Sequence, residues 1–248
     1  MMNIAQYLDS TYLKTPAQSG LSEEETLQKD KELAQEAIDN GILAVMIRPD
    51  YVAEIKKYIR DRHSEVAVGT VIGFHEGTYS TEEKLAEAEK AIADGADELD
   101  FVVNYNAYLK GDLDLVKQEF VKGTALCLQH DKVAKWIIEI AALTDDQIAD
   151  ITRHISGWAE ENFDENQLSG IFVKSSTGFY ETENGKPNGA TFEGIRIMLD
   201  NAGKLPVKAA GGVRTPEDAE KMIGLGVKRI GTSSALALIK DQSSEGGY

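Results

Sequence analysis

The sequence holds a single cysteine, Cys127, so no internal disulfide is possible. One thiol in a chain of this size fits a reducing compartment. Long apolar runs are also missing. The longest clean one is Ile42 to Ile47, too short to cross a bilayer. The opening residues, Met1-Met2-Asn3-Ile4-Ala5-Gln6-Tyr7, have neither the basic start nor the apolar stretch of a signal peptide. Positive charge is scarce: Lys+Arg total 26 against Asp+Glu 42, a formal charge of −16. General binding to nucleic acid or an anionic membrane is therefore not expected. A local basic pocket for a small anion remains compatible with that surface. No Gly-rich dinucleotide fingerprint follows the first candidate strand. Neither an internal repeat nor a domain-splitting linker is evident. We therefore expect a soluble, cytoplasmic protein with one domain over residues 1–248 and a polar, mobile tail at about 240–248.

What is present is ordinary globular material: 248 residues, 42% hydrophobic and 27% charged. Short β-branched runs alternate with amphipathic stretches. Strands are predicted at Tyr7–Asp9, Leu43–Ile47, Glu65–Val71, Glu98–Val102, Ala134–Ile140, Gly170–Lys174, Pro206–Ala209 and Arg229–Gly231. Capping-box spacings at Ser22/Glu25 and Thr144/Gln147 mark helix starts, as do Pro49 and the pair Thr215-Pro216. Leu85, Ala88 and Ile92 form one helical stripe that Gly95 ends. Glu161–Ser169 reads as a polar connector and Tyr180–Gly189 as a long loop. Eight β-α units in this length favour a closed (β/α)8 TIM barrel over an open sheet.

In such a barrel the interior is packed with bulky side chains, and active sites lie at the C-terminal strand ends. With Val173 and Val207 facing the helices, alternation turns Lys174 and Lys208 inward. Neighbouring strands are about 4.8 Å apart, so the two ammonium groups meet at the rim. Each lysine could instead snorkel to water. Two of them at adjacent strand ends, each followed by a small-residue turn, favour chemistry. Like charges in a dry site drive one amine toward neutrality. Lowering a lysine from about 10.4 toward 7 costs the charged form roughly 4–5 kcal/mol. A neutral amine can form a Schiff base with a carbonyl. Asp100, near the end of the fourth strand, is the candidate to anchor the second ammonium and pass protons. Glu98, Lys135 and Glu139 read as a structural ion network across the barrel.

Three turns on the same face suit an oxyanion: Ser176-Thr177-Gly178, Gly211-Gly212-Val213-Arg214 and Gly231-Thr232-Ser233-Ser234. Loops after the last strands of this fold often hold phosphate, and small residues expose backbone N–H groups. Arg214 supplies charge or faces solvent.

Several segments, in order along the chain, resemble the deoxyribose-phosphate aldolase family. They are Gly69-Thr70-Val71-Ile72-Gly73-Phe74, Gly95-Ala96-Asp97-Glu98-Leu99-Asp100, Phe172-Val173-Lys174-Ser175-Ser176-Thr177-Gly178-Phe179, Val207-Lys208-Ala209-Ala210-Gly211-Gly212-Val213-Arg214-Thr215 and Arg229-Ile230-Gly231-Thr232-Ser233-Ser234. The resemblance implies a class I aldolase without metal or organic cofactor. Its reaction would be reversible cleavage of 2-deoxy-D-ribose 5-phosphate to acetaldehyde and D-glyceraldehyde 3-phosphate, a step of deoxyribose catabolism. Lys174 would carry the Schiff base, Lys208 would lower its pKa, and Asp100 would take part in proton transfer. The substrate phosphate would fall to Gly178, Gly211, Gly212, Val213, Arg214, Gly231, Ser233 and Ser234. Partners would be small sugar phosphates and aldehydes, with a homodimer the expected assembly.

Departures from the family pattern lie near the mouth. Ser175 stands where Thr is usual, Glu139-Ile140 where Glu-Thr is usual, and His75-Glu76 where a Pro is usual. Asn104-Tyr105-Asn106 also differs, and the Tyr180–Gly189 loop is longer. They bear on substrate breadth more than on reaction type. Met46 stands where relatives often have Cys, so Cys127, on a predicted helix, is expected to give only a minor route of inactivation by aldehydes. Tyr248, at the end of the tail, is a candidate to assist proton transfer at the enamine carbon. The residues alone leave two alternatives: a class I aldolase or transaldolase for another sugar phosphate, and a non-catalytic sugar-phosphate binder.

Overall fold

Eight short strands, each followed by helix, close into a barrel in strict sequence order. The strands are β1 Leu8–Thr11, β2 Ala44–Ile47, β3 Ala67–Ile72, β4 Glu98–Val102, β5 Val133–Ile137, β6 Ile171–Lys174, β7 Val207–Ala210 and β8 Arg229–Thr232. All neighbours pair in parallel, and β8 returns to β1 with Asp9 opposite Gly231. The computed structural model describes residues 3–239. The helices are α1 Pro16–Ser19, α2 Glu23–Asn40, α3 Val52–Arg60, α4 Thr81–Ala93, α5 Tyr105–Leu109, α6 Leu113–Gln129, α7 Asp145–Asn162, α8 Phe192–Asn201, α9 Pro216–Leu225 and α10 Ala235–Ile239.

Local chemistry explains the starts. Reciprocal capping boxes form at Ser22/Glu25 before α2 and at Thr144/Gln147 before α7. Thr215 accepts the Asp218 N–H, with Pro216 opening α9. Every strand is buried along its length, apart from the half-buried first residues of β3 and β5. The outward set (Val45, Val68, Leu99, Trp136, Val173, Val207 and Ile230) joins the helix faces in one continuous core. The inward set is therefore left to build the site.

Most strand ends shift by one to three residues from the sequence reading, and one helix buries a different face. β1 runs to Thr11 rather than ending at Asp9, because Ser10 and Thr11 pair with Val45 and Met46. β5 stops at Ile137 instead of Ile140, since Glu139 takes a left-handed conformation (φ 56) and Ile140–Ala142 turn as a 3-10 helix. On α4 the fully buried face is Thr81, Lys84, Ala88 and Ala91, while Leu85 and Ile92 are only half-buried. The reason is a buried ion pair. Lys84 Nζ donates to Glu119 Oε2 at 2.6 Å and to the Val102 carbonyl at 2.7 Å, and Glu119 Oε1 accepts the Asn104 N–H at 2.7 Å. This pair fixes the chain just beyond β4.

Candidate active site

Strand pairing sets Lys174 opposite Lys208, Lys208 opposite Arg229, and Asp100 opposite Lys135. All of these side chains point inward. Lys174 and Lys208 each donate to Asp100 Oδ2 at 2.8 Å. Lys135 donates to the other oxygen, Oδ1, at 2.9 Å, and to Glu98 Oε2 at 2.6 Å. Lys208 also lies 2.5 Å from Asp9 Oδ2. Below it, Arg229 donates Nε to Asp9 Oδ1 at 2.7 Å and grips Glu98 with both terminal nitrogens at 2.9 and 2.6 Å. The barrel thus holds an alternating stack of charge that ends upward at Lys174.

The count of charges decides which group gives up its proton. Asp9, Glu98 and Asp100 supply three carboxylates; Arg229, Lys135, Lys208 and Lys174 supply four cations. One positive charge is in excess in a buried region, and a buried charge without its own counter-ion is costly. Lys174 is the member that bears this. Burial, opposed by Asp100 and aided by Lys208, lowers its pKa to about 8. Burial acts on Lys208 in the same direction, but Asp100 and Asp9 outweigh it and raise that pKa. Asp100 and Asp9 stay ionised well below the usual carboxylate range. Burial opposes this, but Lys135, Lys174 and Lys208 hold Asp100 down, and Arg229, Lys208 and Lys135 hold Asp9 down. The result is an amine that becomes uncharged as pH rises through about 8, beside a carboxylate and an ammonium that keeps its proton. That is a nucleophile with an attached proton relay.

Above the charges the walls turn apolar. Leu13, Met46 and Val71 pack with Phe74 and Phe179 on one side. Val102, Tyr105 and Ile137 pack with Phe74, Ala142 and Tyr180 on the other. Phe74 meets Phe179 edge to face at 5.1 Å, and His75 stacks on Phe179 at 5.6 Å. The loops after β3 and β6 therefore touch across the mouth. Such walls suit a short aldehyde chain and keep bulk water from the amine.

The three small-residue turns lie at the C-terminal end of the barrel, but several of their donors are already engaged. Gly211 N–H goes to the Gly231 carbonyl at 3.1 Å, and Ser234 N–H to Thr232 Oγ1 at 3.1 Å. Gly212 has φ 76, and a Cβ there would stand 2.5 Å from the Ala190 carbonyl, so no other residue fits. Val213 is buried beside it, with its carbonyl accepting from Thr232 Oγ1. Gly178 and Gly231 are buried, whereas Gly212, Ser233 and Arg214 are exposed. Ser233 also lines a cavity of about 340 Å³ with Thr11, Lys14 and Lys29. Tyr248 lies outside the described residues. Among the described residues no group of three His, Cys, Asp or Glu is arranged to hold a metal ion. The barrel carboxylates face ammonium and guanidinium groups instead.

Of the residues read from sequence, Lys174, Lys208 and Asp100 are brought into direct contact, and Glu98 and Lys135 form the ion network beneath them. Glu139 corrects the reading. It makes no ion pair in that network, and its Oε2 accepts both the N–H (3.1 Å) and the hydroxyl of Thr177. Burial raises its carboxyl to about 7, against the pull of Thr177 and Lys174. Asp9 and Arg229 were missed altogether. Asp9 occupies the last position of a strand predicted to end there, and Arg229 opens its strand at the inward parity. Alternation was the signal that could have found both.

Residues 4–240 match the family model described as DeoC/LacD family aldolase. The deoxyribose-phosphate aldolase of Caldicellulosiruptor saccharolyticus is 36% identical over 96% of this chain and 97% of its own length. That of Thermococcus gammatolerans is 37% identical over 96% of each. The solved deoxyribose phosphate aldolase of Aeropyrum pernix, a tetramer, superposes with a TM-score of 0.76 at 28% identity, covering 96% of this chain and 89% of that one. By its family model and by these full-length relatives, the chain belongs to the DeoC/LacD family of aldolases.

Proposed function

We propose that this protein cleaves 2-deoxy-D-ribose 5-phosphate reversibly to acetaldehyde and D-glyceraldehyde 3-phosphate. One observation carries the proposal: two lysine amines meet on a single carboxylate oxygen, and the amine nearer the mouth is the one disposed to lose its proton. The neutral Lys174 amine attacks the C1 aldehyde of the open-chain sugar, and loss of water gives an iminium ion. A base removes the C3 hydroxyl proton. The C2–C3 bond breaks, its electron pair moves to the iminium, and glyceraldehyde 3-phosphate departs. An enamine of acetaldehyde remains. Protonation at C2 and hydrolysis release acetaldehyde and restore the amine. Asp100, held ionised, accepts and returns protons through a water, while the Lys208 ammonium keeps Lys174 from recapturing one. Exposed Gly212, Ser233 and Arg214, with Gly178 and the turn after β8, receive the phosphate. Tyr248 is assigned to protonation at C2 from its place in the sequence alone. Its deletion should slow exchange of the acetaldehyde methyl protons, and unchanged exchange would remove that role.

Borohydride trapping tests the proposal. Acetaldehyde at limiting concentration, followed by reduction and digestion, should place a two-carbon adduct on Lys174. Deoxyribose 5-phosphate should compete, and Lys174→Leu should abolish the adduct. Adducts scattered over surface lysines with Lys174 unlabelled would overturn it. A homodimer is the assembly we expect; a monomer by light scattering would correct that expectation.

A further inference from the structure

The turn that follows Lys174 is held from outside its own strand, and the holder is Glu139. Its Oε2 accepts the Thr177 N–H at 3.1 Å and the Thr177 hydroxyl. The Thr177 oxygen in turn accepts the Phe179 N–H at 3.0 Å, across Gly178. One carboxylate oxygen therefore anchors the Thr177 side of the turn, while Asn188 Nδ2 donates to the Gly178 carbonyl at 2.9 Å. The arrangement is maintained against several costs. Glu139 is a non-glycine residue at φ 56, a conformation L-residues seldom adopt. The residue is fully buried, and its second oxygen, Oε1, has no hydrogen-bond partner. A side chain kept in place under these conditions at the mouth of a site points to a positioning role.

The hydrogen bonds also say what the positioning does. Both Thr177 donors are turned onto Glu139. The Ser176 hydroxyl, in the same turn, is buried and has no partner. We propose that Glu139 is a positioning residue for the substrate's phosphate: it draws Thr177 aside and so presents the Ser176 and Gly178 part of the turn to the anion. This rests on the activity proposed above. It separates phosphate recognition, set by Glu139 through Thr177, from the chemistry of Lys174, Lys208 and Asp100.

The test compares deoxyribose 5-phosphate with unphosphorylated 2-deoxyribose in the parent, Glu139→Ala, Glu139→Gln and Thr177→Val. Glu139→Ala should raise KM for the phosphorylated sugar by about tenfold, equivalent to about 1.4 kcal/mol. Its kcat should stay within about threefold, roughly 0.65 kcal/mol. Cleavage of 2-deoxyribose should be nearly unchanged. Glu139→Gln, which keeps an acceptor oxygen, should recover most of the loss, and Thr177→Val should reproduce part of it. If Glu139→Ala does not fold, the contrast between Glu139→Gln and Thr177→Val decides. Equal losses on both substrates, or no change in any variant, would overturn the inference. A parent that fails to cleave deoxyribose 5-phosphate would instead overturn the proposed activity.

Discussion

Lys174 and Lys208 direct their ammonium nitrogens at the same atom, Asp100 Oδ2, each from 2.8 Å. They differ in what lies behind them. Lys208 has Asp9 on its far side at 2.5 Å, whereas Lys174 forms an ion pair with Asp100 alone among the described residues. Two cations on one anionic oxygen leave the less supported one to lose its proton. The asymmetry between two chemically identical side chains therefore comes from Asp9, which touches only one of them closely.

The pH dependence follows from that asymmetry. Only the neutral amine attacks a carbonyl, and its proton is lost as pH rises through about 8. The rate of Schiff-base formation should thus climb about tenfold per pH unit below that point and level off above it. Lys208→Leu removes the ammonium that disfavours a proton on Lys174 and leaves the pull of Asp100. The limb should move to higher pH, and the rate at pH 7 should fall by up to about tenfold per unit moved. A trapping-rate profile checks this; an unmoved limb in the variant would exclude Lys208 as the tuning charge.

Asp100→Asn separates two roles that the geometry combines. Asp100 favours the protonated form of Lys174, so its neutralisation leaves the amine free for attack. Trapping with acetaldehyde should persist. Turnover should fall by about 10²–10⁴, the range for loss of a general acid–base group. The comparison is trapping rate against kcat in the same variant. Parallel loss of both would mean that Asp100 serves mainly to position Lys174.

Arg229 closes the lower end of the stack, where it pairs with Asp9 and Glu98. Arg229→Met leaves two buried carboxylates short of a cation, and the penalty for breaking a buried pair is about 3–5 kcal/mol. Urea unfolding should show it. The pH sign is set by Asp9. Its folded pKa is depressed below the ordinary 3.8, so its stabilising contribution is present above that value and lost as pH falls below it. The parent should lose stability on acidification below about pH 4, and the variant less steeply. A variant with the parent's stability and acid slope would remove this role from Arg229.

The legible part of the site was local. Val173-Lys174 and Val207-Lys208 repeat one alternation on adjacent strands, and the parity is visible without knowing the fold. Closure of the barrel was less so: Asp9 and Arg229 are 220 residues apart in sequence, and nothing near either names the other. Lys84 was hidden by convention, because a lysine beside an apolar stripe reads as surface until Glu119 is seen opposite it. Glu139 fits the strand pattern that surrounds it. Only its left-handed backbone reveals that the strand has already ended and that the carboxylate serves the next loop.

Cys127 provides a test in which the structure predicts no effect. It is fully buried on α6, away from the mouth, and burial pushes its thiol up to about 12, slightly opposed by Lys135. At pH 8 only about one molecule in ten thousand would carry the thiolate, which is the reactive form. Met46, which packs with Leu13 and Val71 in the apolar wall, offers no thiol there. An α,β-unsaturated aldehyde should therefore inactivate Cys127→Ala and the parent at equal rates, with adducts on Lys174 rather than on sulfur. Full protection in the variant would show that α6 opens often enough to expose the thiol, and that burial in the folded state does not govern this chemistry.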